Sequence, residues 1–447
     1  MKVNFRGLVG IGAIIIFLSG CATAPTRVEK EERAKVSQAE RVYREKVNLP
    51  ELSEESSLPE FIRYALLNNP KVEAAFYRWK EAVETIAVSR YLPNPQLSFE
   101  AEISSGGLEM LEPGLMFMLP ASGKIPLQAE AFSLEAKKYR HLFEDEILKA
   151  AFRLQEVVYQ YWVLNEKIKS TQRVLKLIED LEELSLANLT VGKVSLSDVL
   201  LLQIEKEEMS NRIADLKDSQ KVLREQFRAS LGIKPGEPVP QPPSDLVFTP
   251  EEFPEEQMWE IAQRRYPRLE LMRTRIAESE VFVKMAYKEY SPDFALGLMK
   301  SFFSEMSLIK PLLSLSLPWR KKVASQIAAS KAGLEGAKAE LSVEELDLLV
   351  ILAEASFRWR QADREFKLYK YNLLPKAEAI LDLQRSSYIV GTTGLNEVLT
   401  AERMWLEFSL NYLSASGMRE IALNEILICC LAKLPEEVFF EQHEEAR

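Results

Sequence analysis

Residues Gln96 to Ser104 alternate without a break, with Leu97, Phe99, Ala101 and Ile103 set against Gln96, Ser98, Glu100, Glu102 and Ser104. Successive side chains of a strand point to opposite faces, so this stretch predicts a half-buried β-strand. Gly106-Gly107 offers a turn, and Gly114 to Leu119 predicts a return strand with Leu115, Phe117 and Leu119 on its apolar side. The texture recurs at Phe294 to Lys300 and at Leu312 to Leu317, where Leu313, Leu315 and Leu317 alternate with Leu312, Ser314 and Ser316. Elsewhere the period changes. From Leu127 to Ala187 there is no proline or glycine, and Ile147, Ala151, Leu154, Val158, Tyr161, Ile168, Leu175 and Ile178 recur close to every 3.5 residues. A helix of that length runs ~90 Å, far more than a small domain needs. A second run of the same extent, Lys321 to Ser386, is interrupted by Pro375 and predicts a bend near Leu374.

These elements form a repeat. Asn69-Pro70-Lys71-Val72-Glu73 returns as Tyr266-Pro267-Arg268-Leu269-Glu270, Tyr91-Leu92-Pro93-Asn94 as Tyr290-Ser291-Pro292-Asp293, and Leu119-Pro120 as Leu317-Pro318. Val191-Gly192-Lys193-Val194-Ser195-Leu196-Ser197-Asp198-Val199-Leu200 returns as Val390-Gly391-Thr392-Thr393-Gly394-Leu395-Asn396-Glu397-Val398-Leu399. Landmarks kept in one order at one spacing mark two copies of a single unit. Gly192 and Gly391 suit the left-handed position that ends a helix, and an acid three residues into the next segment, Asp198 or Glu397, suits a helix start. Each long helix therefore turns at these landmarks into a return helix, from about Ser197 to Leu231 and from Asn396 to Lys433.

The N-terminus concerns compartment. Lys2 and Arg6 precede an apolar run from Gly7 to Leu18, the layout of a secretion signal and too short to span a bilayer. Leu18-Ser19-Gly20-Cys21 resembles a bacterial lipobox, which implies cleavage before Cys21 and covalent lipid on that residue. Ala22, in place of Asp, implies the outer membrane. Removal of the first 20 residues takes two cations and no acid, moving the formal charge from −10 to −12, which argues against a nucleic-acid partner. Cys429 and Cys430 are adjacent in an apolar run and suit packing rather than a disulfide. With 2 histidines, His141 and His443, no histidine-built metal or catalytic centre is expected, and no nucleophile with base or phosphate loop marks an enzyme. Met110, Met116 and Met118 raise a copper reading, but methionine at alternate strand positions serves more often as apolar filler.

The predicted class is mainly α with a small β part. The organisation read from the chain is a signal peptide at 1–20, a lipidated tether at 21–57, a first repeat at 58–231, a connector at 232–254 with seven prolines, a second repeat at 255–433 and an acidic tail at 434–447. Four strands with one apolar face leave two open edges. Inside lipid each unpaired backbone group costs several kcal/mol, so such a sheet stays in water or closes with other copies of itself.

The element order over residues 58 to 432, with Leu-Pro-Asn-Pro at 92–95 and Leu-Pro-Ala-Ser-Gly-Lys at 119–124, resembles the outer-membrane efflux proteins typified by TolC, especially the lipid-anchored branch. The resemblance implies a homotrimer whose twelve-stranded barrel sits in outer-membrane lipid and continues as a periplasmic tunnel of long helical hairpins. It implies a passive exit duct without chemistry of its own, fed by an inner-membrane transporter through a periplasmic adaptor, the membrane fusion protein. It places adaptor docking at Val191, Gly192, Lys193, Val390, Gly391 and Thr392, where the glycines by themselves need only reverse the chain. It makes Asp198 and Glu397 pore-constriction candidates, although each suits a helix start on local grounds. A family arginine is replaced here by Thr393 and a family acid by Thr400. No cofactor is implied beyond the lipid on Cys21. Trp319, beside Lys321 and Lys322 at a strand end, suits an interfacial belt. The rival reading is a membrane-tethered periplasmic coiled-coil scaffold without channel activity.

Overall fold

A computed structural model of the chain describes residues 23–44, 49, 52–53, 56–105, 107–190, 192, 194–243, 246, 255–301, 309–430 and 432. The lipobox with Cys21, the signal peptide and the acidic tail lie outside the described residues, as do Val191 and Lys193. The chain divides into two compact units that cut across the repeats, each gathering segments from both copies.

The first unit draws on residues 1–42, 74–144 and 267–345. It holds helix α1 (Arg27–Arg44) up to residue 42, most of α3 (Pro70–Ser89), and strands β1 (Gln96–Ser104) and β2 (Gly107–Leu119). It also holds the first part of α4 (Lys124–Thr190), all of α7 (Pro267–Lys288), β3 (Asp293–Lys300), β4 (Ile309–Ser316) and the first half of α8 (Arg320–Leu368). The strands form one antiparallel sheet in the order β1-β2-β3-β4. β2 is longer than its alternation predicts. It pairs with β1 from Gln96↔Met116 to Ser104↔Gly107, with a register shift between Glu102 and Ile103 that lets the hairpin twist.

The segment read as a tether contains α1, held to this unit by buried carboxylates. Glu32 accepts from Trp79 Nε1 at 3.0 Å and from Arg140 Nε at 3.0 Å. Glu29 accepts from Arg33 Nε at 3.0 Å and pairs with Arg90 at 3.1 Å. Both acids are almost wholly out of solvent, so their charge is tolerable only because it is paired. Below them Phe143 stacks on Trp79 at 5.6 Å and meets the edge of Phe76 at 5.9 Å.

The second unit draws on residues 43–73, 145–266 and 346–447. It holds α2 (Leu58–Asn68), the rest of α4, α5 (Leu196–Leu231), α6 (Glu255–Arg265), the rest of α8, α9 (Leu374–Val390) and α10 (Leu395–Asn424). The repeated Asn69-Pro70 and Tyr266-Pro267 pairs are helix breaks: α2 ends at Asn68 and α6 at Arg265, and a proline opens the next helix each time. Phe61 of α2 packs on Phe227 of α5 at 5.7 Å, and the Asn69 amide donates to the Ser230 carbonyl at 3.2 Å.

The bend expected at Pro375 takes the form of a π-turn, Tyr369–Leu373, after which the Leu374 N–H donates to the Tyr369 carbonyl. Proline lacks an N–H and its ring crowds the carbonyl four residues back, so a locally widened turn carries the chain past it. A second π segment, Glu425–Cys430, follows α10. It carries Cys429 and Cys430 as free thiols, both pushed up to about 12 by burial.

Replacing Glu32 by Ala leaves the Trp79 N–H without its acceptor in a covered site, and Glu144 as the acid still bonded to the Arg140 guanidinium. We expect a loss of about 2–4 kcal/mol, with hydrogen exchange accelerating across residues 27–44 before it does in the sheet.

Candidate functional site

Two places carry the sequence-predicted functional residues, the sheet of the first unit and the helix turns of the second. In the sheet the register puts Leu97 opposite Leu115, Leu115 opposite Leu298, Phe117 opposite Leu296 and Leu296 opposite Leu313. One face is thus apolar across all four strands. It is also open, with Phe99 64%, Ile103 75%, Leu298 56% and Leu313 72% exposed. The other face carries Ser98, Glu112, Lys310 and Ser314. Glu112 is buried and accepts from Lys310 Nζ at 2.6 Å.

Met110, Met116 and Met118 lie on this second face of β2, and Met299 of β3 joins them opposite Gly114. Met299 is buried, whereas Met110 and Met116 are half-buried and Met118 is exposed. The outer edges of β1 and β4 have no strand beside them among the described residues.

All four strands meet their flanking helices at one end of the sheet, because β1 and β3 begin where β2 and β4 finish. Exposed aromatic residues collect there: Tyr91 before β1, Tyr290 before β3 and Trp319, 81% exposed, after β4. Lys124 ties this end together, bonding Asp293 at 3.0 Å and Glu289 at 3.2 Å, while Asp293 also accepts from the Ala121 N–H at 2.8 Å.

In the second unit, α4 turns into α5 and α9 into α10 at the two glycine landmarks. Gly192 and Gly391 have φ of +73° and +81°, the left-handed region, and the Gly391 N–H returns to Ser387 and Tyr388 carbonyls. A Cβ at either glycine would meet nothing within 4 Å, so conformation and not space demands glycine. Both turns lie at the same end of this unit. Val174, Ile178 and Leu181 of α4, Leu202 of α5, Leu381 of α9 and Leu395, Val398 and Leu399 of α10 share one apolar cluster. Ser185 and Tyr388 share a hydrogen bond of 2.8 Å between the outgoing helices.

The structure places the candidate acids at the starts of the return helices. Asp198 completes a capping box: its N–H donates to Ser195 Oγ at 3.1 Å and its carboxylate accepts from the Ser195 N–H at 3.2 Å. Glu397 lies exposed in the first turn of α10, its carboxylate folded back over Gly394. Val390, Gly391 and Thr392 are exposed. Thr392 is drawn into the cap, donating to the Ser387 carbonyl through its N–H at 2.9 Å and its hydroxyl at 3.0 Å. Thr393 donates to Gln384 at 3.3 Å, and Thr400 to the Asn396 carbonyl at 2.7 Å.

Sequence reasoning missed a charged group inside this bundle. Arg403 of α10 pairs with Glu205 of α5, which is buried, and the neighbouring Glu402 is fully buried with neither carboxylate oxygen hydrogen-bonded. Glu402 occupies the apolar stripe formed by Leu395, Val398, Leu399, Trp405 and Leu406. An acid at a core position of that stripe is the signal that could have revealed it. Burial, and next the charge of Glu205, pushes its carboxyl up to about 8 against the opposing pull of Arg403.

Among the described residues no group of three or more His, Cys, Asp or Glu side chains could hold a metal ion, and no helix is long and apolar enough to cross a membrane.

Residues 263–427 match the model of the outer membrane efflux protein family. The fold is similar to that of CusC, with a TM-score of 0.72 at 14% identity over 84% of this chain and 92% of that one. It is similar to VceC of Vibrio cholerae, an outer membrane protein, at 0.69 and 16% identity over 83% of this chain and 95% of the other. It is also similar to the open state of the MtrE outer membrane channel of Neisseria gonorrhoeae, at 0.70 and 17% identity over 84% and 89% of the two chains. No curated protein sequence matches the chain significantly. The resemblance to TolC-like outer-membrane efflux proteins therefore holds in the sequence of the second repeat and in the fold.

The buried carboxyl sets a pH dependence. Unfolded, Glu402 titrates near its ordinary value of ~4.3, whereas the folded chain keeps its proton to about pH 8. Across that window the folded state binds the extra proton, so its stability falls as pH rises. Glu402→Gln should leave the thermal midpoint nearly unchanged at pH 5 and raise it by several degrees at pH 9.

Proposed function

We propose that this chain is the outer-membrane channel component of a tripartite efflux or export system, a passive exit duct from periplasm to exterior. The observation that carries the proposal is the sheet: an exposed apolar face, an opposite face bearing the Lys310–Glu112 ion pair, and two edges with no strand beside them among the described residues. Such a sheet is unsuited to water on its apolar side and, alone, unsuited to lipid along its edges. Three copies joined edge to edge satisfy both conditions, with apolar residues toward hydrocarbon and Ser98, Glu112, Lys310 and Ser314 toward a wet lumen. The aromatic residues at the helix-bearing end suit the boundary between lipid and water. In this reading the mature chain is held to the same membrane by lipid on Cys21.

The turns at Val191, Gly192 and Lys193 and at Val390, Gly391 and Thr392 receive the periplasmic adaptor, which recruits an inner-membrane transporter. Support comes from their geometry, since Gly192 and Gly391 project into open space while the bundle behind them is packed. Asp198 and Glu397 would form rings of three acids near the channel's periplasmic end. Glu397 is the stronger constriction candidate, because the capping box already occupies the Asp198 carboxylate. The cargo is chosen upstream by the transporter.

Purified full-length protein should run as a trimer in mild detergent and give discrete single-channel currents in planar bilayers. A monomer, or a trimer that passes no ions, would favour the tethered scaffold instead. Gly391→Phe should cost about 1 kcal/mol through its positive φ, keep the trimer level, and cut export in cells at least ten-fold. Disappearance of the trimer would instead assign the glycine a purely structural part.

A further inference from the structure

The two repeats treat the strand-to-helix junction differently. After β2 the first repeat has one cation, Lys124, whose side chain is 15% exposed and bonded to Asp293 and Glu289. After β4 the second repeat has three in succession, Arg320, Lys321 and Lys322, all exposed. None of the three has an acidic partner among the described residues. They open α8, where the helix dipole presents positive charge, so each is disfavoured by the backbone as well as by its two neighbours. Local stability does not account for them.

What precedes the triad indicates what meets it. Leu313, Leu315, Leu317 and Trp319 are 72%, 47%, 73% and 81% exposed, an apolar ridge that closes on an indole immediately before the cations. Behind them Val323 and Ile327 are buried with Ala286 of α7, which pins the start of α8 and leaves the three long side chains on its open arc. Aliphatic ridge, then indole, then cations is the order in which a chain leaving a bilayer meets hydrocarbon, interface and phosphate. An acidic protein would complement the charge but not the bare leucine ridge that continues it.

We propose that Arg320, Lys321 and Lys322 form a binding surface for the phosphates of anionic glycerophospholipids at the leaflet boundary. The proposal rests on the outer-membrane reading above, and threefold assembly would make the surface a basic collar below the barrel. Arginine supplies a fork that matches phosphate oxygens, and the lysines add point charges around it. The first repeat's lysine, closed off by two carboxylates, does not take part.

The test reconstitutes the full-length trimer into phosphatidylcholine vesicles with and without about a third phosphatidylglycerol, near the surface charge of an anionic leaflet. Flotation reports insertion, and the thermal midpoint reports headgroup binding. Wild-type protein is expected to insert in both, with a midpoint several degrees higher in the anionic vesicles, a gain that shrinks as salt rises from about 0.05 to 0.5 M. R320Q/K321Q/K322Q should insert equally but lose the gain, and R320K/K321R/K322R should retain it. A wild-type midpoint indifferent to phosphatidylglycerol, a gain insensitive to salt, or a glutamine variant that keeps it overturns the proposal. Wild-type protein that floats with neither vesicle overturns the outer-membrane reading and this inference with it.

Discussion

The constraint on which the molecule depends is the hydrogen-bonding need of strand edges combined with a one-sided apolar face. Backbone N–H and C=O groups along β1 and β4 need partners, and the leucines and phenylalanines of the open face need a place out of water. Among the described residues neither need is met. A four-stranded sheet twists too little to close on itself, and under the proposed function the missing partners are the sheets of other copies of the chain. In chain order each strand hairpin, β1-β2 or β3-β4, is followed by a long helix and then by a return helix.

Charge is handled in two ways. Where carboxylates are buried they are mostly paired, as Glu29 and Glu32 are by Arg90, Arg33 and Arg140, and the pairing fixes α1 in place. Glu402 breaks that rule by giving up its charge rather than finding a cation, since Arg403 is already committed to Glu205. A neutral carboxyl is the less costly state for an acid inside a packed stripe. The helix turns below it are built from short local contacts and left-handed glycines, and so can present an open surface while the bundle behind them is held by side chains from four helices.

Much of this was legible before any coordinates. Alternation marked β1 residue for residue, and the long helical runs, the first of them free of proline and glycine, were marked to within a few residues, because both signals are periodicities of neighbouring side chains. The repeated landmarks located both turns, and the acids three residues into α5 and α10 fell in their first turns as expected. The upstream helices were harder to read, because Pro70 and Pro267 start helices as readily as they stop them. The extended β2 escaped notice for a similar reason, since Glu112, Pro113 and Gly114 interrupt its alternation and only pairing with β1 and β3 carries the strand through them.

By itself, then, the sequence determined which segments are strands, which are helices, where they turn and that they come twice, because each of these is written in spacings shorter than a few turns. The tertiary structure alone decided which segments share a core. It set both repeats into both units, recruited the charged stretch at 27–44 as a docked helix and laid Glu402 against Glu205 across two helices. It also left one basic junction neutralised and the other without an acidic partner among the described residues. Those outcomes depend on which acid meets which cation across a hundred residues or more, and no local period records that.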